Sequence, residues 1–109
     1  MRPPVSGRLA VAPADIKVQP KHLEELDRIH KLLHAMNDPY AAGRNIDALV
    51  AQIPILAARC IHRASTRSSK IEITSLQHAI ALIGNRGLEA ELLDLLEDLT
   101  IAKSKLENT

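Results

Sequence analysis

From Pro20 onward the apolar positions fall on helical spacings. Leu23, Leu26, Ile29, Leu33 and Met36 follow steps of three and four residues and so share one helix face. Pro20 fits a first helical turn, and Glu24, Glu25 and Asp27 suit the positive end of the helix. Asn37-Asp38-Pro39 stops it, because the residue before proline avoids helical geometry, and Ala41-Ala42-Gly43 continues the loop. A second, short helix is predicted over 45–53, capped by Asn45, with Ile46, Leu49, Val50 and Ile53 inward. Pro54 opens a third over 54–64, burying Leu56, Ala57, Cys60, Ile61 and Ala64.

Residues 65–70, Ser-Thr-Arg-Ser-Ser-Lys, read as a polar loop, and Ile71-Glu72-Ile73 as a short extended link. Thr74 followed by Gln77 has the form of a capping box, which predicts a fourth helix over 75–83 ended by Gly84. Gly84-Asn85-Arg86-Gly87 is then a four-residue connection to a last helix over 88–105. There Leu88, Leu92, Leu95, Leu99, Ala102 and Leu106 are spaced 4, 3, 4, 3, 4, a heptad seam that Leu93 and Leu96 widen into a stripe. No run alternates in the manner of a strand. The expected fold is all-α: a compact bundle of about five helices over 20–109, preceded by a flexible tail over 1–19 that carries three of the six prolines.

Composition narrows the function classes. A chain of 109 residues supports one modest core. Its single aromatic, Tyr40, leaves little with which to wall a pocket for flat cofactors or stacked bases. Cys60 is the only cysteine, so an internal disulfide is excluded, and no apolar run reaches the length of a membrane span. These features predict a cytoplasmic protein without a membrane partner.

Candidate chemistry is sparse. His30 and His34 stand one helical turn apart, but a zinc site needs further ligands, and Asp38 lies beyond the helix end. Cys60 and His62 are two apart and point to different helix faces, which does not suit a nucleophile and its base. No glycine-rich phosphate loop occurs. The expectation is therefore no catalytic residue, no metal and no cofactor.

Charge placement says more than the net charge of +1. Arg59, His62, Arg63, Arg67 and Lys70 form a run without an acid, while Glu89, Glu91, Asp94, Glu97 and Asp98 form one without a base. Either the two patches neutralise each other in the fold, or the basic segment, with Arg86, meets an anionic partner while the acidic face meets another. The leucine stripe of the last helix adds a second expectation, a homodimer paired antiparallel through Leu92, Leu95, Leu96, Leu99 and Leu106.

One stretch has a family likeness. The segment LVAQIPILAARCIHRAS followed by ITSLQHAIALIGNRGLEAEL resembles the first, helical half of the HD-related output domain (HDOD) of bacterial signalling proteins. Pro54, Leu56, Ile73, Ser75, Ala79, Ile80 and Gly84 match that pattern. Ile53 stands where the family has Asp, and Ser65 and Thr66 where it has Asn and Ser. The likeness covers about residues 22–99, mostly core and cap positions, and implies the first half without the degenerate metal-phosphohydrolase-like half that follows in the family. It implies a non-catalytic regulatory or adaptor module of bacterial signal transduction acting by protein–protein interaction. The alternative is a small DNA- or nucleotide-binding regulator using the basic segment 59–70.

Overall fold

A computed structural model describes residues 16–38, 46–67 and 72–107. Among these residues there is no strand, and the architecture is a helical bundle. A 3₁₀ turn, Pro20–Glu25, leads directly into α1 (Leu26–Asn37); α2 (Ile46–Ala51), α3 (Pro54–Arg67) and α4 (Leu76–Glu107) follow.

The periodicity places these elements closely. Ile29 and Leu32 are the fully buried residues of α1, with Leu23, Leu26, Leu33 and Met36 packed around them. Pro20 opens the 3₁₀ turn, which closes by a bond from the His22 N–H to the Gln19 carbonyl at 2.8 Å. The Gln19 N–H in turn donates to His22 Nδ1 at 2.9 Å. Within the stretch expected as tail, Ile16 and Val18 are half-buried, and Val18 packs against the core. Residues 1–15 lie outside the described residues, as do the loop at 39–45 with its predicted Asn45 cap, and residues 68–71.

α2 and α3 are separated by a tight turn in which the Gln52 and Ile53 N–H groups bond to the Leu49 and Val50 carbonyls. Ile53 is fully buried there, and its carbonyl accepts the first bond of α3 from the Ala57 N–H at 3.0 Å. α3 runs to Arg67, three residues past the predicted end. The Ser65 and Thr66 hydroxyls donate to the carbonyls of His62 and Arg63, one turn back, so these two polar residues satisfy themselves within the helix.

Two corrections concern α4. Its cap is Ser75 and not Thr74: the Ser75 hydroxyl oxygen accepts the His78 N–H at 3.0 Å. The connection at 84–87 shrinks to one residue. Gly84 alone leaves helical geometry, at φ 69° and ψ 176°, and the chain re-enters helix at once. That combination of angles is open essentially only to glycine. Gly87 is helical and buried, for a different reason: a Cβ there would stand 2.7 Å from Ile83 Cβ and 3.4 Å from Arg63 Nε.

α3 and α4 share the largest interface, and the core is built on it. Leu56, Cys60 and Ala64 of α3 meet Leu88, Leu92, Leu95 and Leu99 of α4, with Ile29, Leu32, Val50, Ile53 and Ile73 closing the cluster. No described buried side-chain nitrogen or oxygen lacks a hydrogen-bond partner. The core is therefore held by aliphatic burial alone, without a polar network inside it.

Candidate interaction groove

The two opposite charge runs are brought together. α3 and α4 are antiparallel, so as the basic residue moves back along α3 its acidic partner moves forward along α4. Arg63 Nη1 donates to Glu91 Oε2 at 2.9 Å, and Arg59 Nη2 donates to Asp98 Oδ2 at 2.7 Å. The Arg63 guanidinium runs beside Gly87, its Nε 3.4 Å from where a Cβ would stand, and reaches Glu91 one turn later. Arg59, with only 11% of its side chain exposed, makes a third contact, from Nε to the Ile16 carbonyl at 3.1 Å. One residue thereby ties the entering chain to both long helices.

This revises the predicted basic surface. Arg59 and Arg63 are committed to acids of the same chain, so they are not two free cations awaiting a partner. His62 is half-buried beside them, and Arg67 is exposed at the end of α3. Arg86 is exposed on α4 but stands apart from the others, and Lys70 lies outside the described residues.

Between α3, the outer flank of α4 and the segment 16–20 runs an open groove of about 1320 Å³. Both ionic bridges line it. Its rims carry His62 and Arg67 from α3, Lys17 from the entering segment, and Asp94, Glu97, Ile101 and Lys105 from α4. Among the described residues Asp94, Glu97 and Lys105 form no ion pair. Ile101 and Leu106 are each 48% exposed, a large share for aliphatic side chains, and both border the groove. Sequence reasoning missed Ile101 because it falls outside the heptad seam. Its signal was an isoleucine set four residues after Glu97 and four before Lys105, in one row along the helix.

The predicted self-association residues divide sharply. Leu92, Leu95 and Leu99 have no exposure at all and belong to the core of their own chain, which removes them as a docking surface. Leu96 is partly buried against that core. Only Leu106 of the five is exposed.

Titration at the site follows burial. Desolvation pushes the Cys60 thiol up to about 12, Glu91 adds to this, and Arg63 opposes it. A thiol so placed beneath the ionic bridges stays protonated and does not act as a nucleophile at neutral pH. Burial first, then Lys21, lower the His22 pKa; Glu25 opposes them, and Arg59 adds the smallest lowering effect. On α1, His30 and His34 are exposed, and among the described residues no three His, Cys, Asp or Glu side chains are grouped so as to hold a metal ion. No helix among the described residues is long and apolar enough to cross a membrane. Compared with protein-family models, with curated proteins and with solved structures, the chain has no match.

Proposed function

We propose that this protein is a non-catalytic regulatory or adaptor module, of the kind its HDOD-like sequence suggests for bacterial signal transduction, and that it works by binding protein in the α3–α4 groove. One observation carries the reading: a wide groove whose rims present charges of both signs beside two half-exposed aliphatic side chains. Mixed charge around an apolar patch suits a polypeptide partner, where the apolar contacts supply affinity and the charges fix register. The anionic-ligand alternative is weaker on the same residues. Arg59 and Arg63 are already paired, and Asp94 and Glu97 on the opposite rim would repel phosphates. Self-association belongs to the same reading, but it requires a surface other than the buried leucine seam.

The test is quantitative capture with paired variants. Arg67→Glu and Ile101→Glu alter the groove, and His34→Glu alters an exposed position outside it. Specific loss of a captured protein in the first two, with retention in the third, is the expected result. A retardation assay on nucleic acid across a salt series covers the alternative, since phosphate contacts impose a steep salt dependence. Salt-sensitive retardation with unchanged protein capture in the groove variants would overturn the proposal.

A further inference from the structure

After Leu99 the core of this protein stops, but α4 does not. Ala102 is half-buried, and every other residue from 100 to 107 is exposed. These two turns extend about 12 Å beyond the last core layer at 1.5 Å per residue. A helical overhang of this length gains little from its own hydrogen bonds and is ordinarily held by packing. It offers a row on one face: Asp94, Glu97, Ile101 and Lys105, each three or four residues from the next. The same row forms one rim of the groove.

That row is complementary to itself when reversed. If two copies of α4 lie antiparallel with Ile101 of each on a two-fold axis, the position four residues before Ile101 on one copy faces the position four residues after it on the other. Glu97 then faces Lys105 of the partner subunit, and the pair occurs twice by symmetry. A parallel pairing would instead set Glu97 against Glu97 and Asp94 against Asp94, which like-charge repulsion disfavours. The acid–base order along the row therefore selects one orientation.

We infer that the groove is the seat for the projecting end of α4 from a second copy of this chain, giving an antiparallel two-fold dimer centred on Ile101. The inference rests on the reading of the groove as a protein-binding surface and names its occupant. It replaces the buried leucine seam with the outer face of the same helix. Each copy's overhang gains a wall from the other's α3 and entering segment, and each Ile101 leaves water.

Sedimentation equilibrium on the full chain from micromolar to hundred-micromolar concentration tests the pairing. A dimer is expected for the unaltered chain. Ile101→Glu, Glu97→Lys and Lys105→Glu should each weaken it roughly tenfold or more, and the double variant Glu97→Lys/Lys105→Glu should restore it, because the swapped charges face each other again. Ile101→Cys should form a disulfide-linked dimer under mild oxidation, since the native Cys60 is buried and cannot supply the link. Circular dichroism confirms that each variant keeps its helicity, all three positions lying outside the core. A strictly monomeric mass overturns the inference, as does a dimer indifferent to all three single changes. Neither result touches the capture of a different protein by the groove. Conversely, a dimer that obeys the charge swap but captures nothing else would remove the adaptor reading and leave the pairing standing.

Discussion

α4 before and after Leu99 is one helix with one apolar rhythm and two environments. Leu88, Leu92, Leu95 and Leu99 have no exposure, while Leu106, seven residues past Leu99 on the same seam, is 48% exposed. The pattern 4, 3, 4, 3, 4 is continuous across the change. Periodicity records which residues share a face, but what covers the face depends on the other helices. α3 begins at Pro54, and its antiparallel course on α4 brings Arg59 opposite Asp98, so only residues 54–58 of α3 remain to cover the turns that follow. The difference teaches that a heptad seam in a small domain can be consumed by its own core, leaving the opposite, mixed-charge face as the available surface.

The largest expected effect strikes the first half of the helix. Leu95→Ala removes a fully buried side chain from a core that, among the described residues, has no aromatic ring to shift into the void, and should cost about 2–5 kcal/mol. Denaturant unfolding followed by circular dichroism measures it. A loss below about 1 kcal/mol would mean that Leu95 is less confined than its burial implies.

The joint within α4, at Gly84, comes next. Gly84→Ala forces a Cβ into φ 69°, ψ 176°, at a cost of about 1–3 kcal/mol, although nothing lies within 4 Å of that Cβ. The penalty is purely conformational, so smaller neighbours will not relieve it. Gly87→Ala meets the reverse balance. Its Cβ crowds Ile83, costing about 1–3 kcal/mol, but alanine returns about 1 kcal/mol of helix propensity. Gly84→Ala should therefore be the more damaging, and the order of the two melting temperatures decides it. The reverse order would place the tight constraint at Gly87.

These glycines also mark the limit of what the chain announces about itself. All five expected helices have counterparts within a few residues, the last two divided at Gly84, because aliphatic spacing reports burial directly, and Ile53, Cys60 and Ala64 lie inward as expected. The four-residue connection at 84–87 was misread because a glycine that ends a helix looks the same whether the chain leaves or restarts at once. The end of α3 was misplaced because Ser65 and Thr66 read as loop formers until their hydroxyls are seen bonded to carbonyls one turn back. At the groove, the two charge runs were visible. Which members pair, and that Ile16 is drawn in by Arg59, follow only from the antiparallel setting of α3 on α4.

Cys60 reports on the same interface from beneath. With its folded pKa raised from 9.0 to about 12, chiefly by burial, the native state keeps a proton that the unfolded chain gives up. The thiol's contribution is fully present below about pH 9 and declines as pH rises towards 12. Modification by a thiol reagent at pH 8 should be slow and should proceed through opening of the structure, accelerating in Leu95→Ala. Fast modification of the folded protein, equal to that of a free thiol, would show that the α3–α4 interface admits solvent.

The smallest effect is expected beyond Leu99, and Ile101→Ser isolates it. Serine and isoleucine have nearly equal helix propensity, so the substitution leaves the intrinsic stability of α4 unchanged and tests packing alone. Ile101 is about half exposed and outside the core cluster, so in the isolated chain the change in unfolding free energy should stay within about 0.5 kcal/mol. Any second copy on this face adds stability by mass action, which vanishes on dilution. The measurement is therefore a pair of thermal melts, one at the lowest concentration that circular dichroism allows and one a hundredfold higher. Near-identity with the unaltered chain at low concentration, together with a lower melting temperature than it at high concentration, is the expected outcome. A loss above about 1 kcal/mol already present at low concentration would show that the overhang packs on its own core, and the contrast between the two halves of α4 would fail.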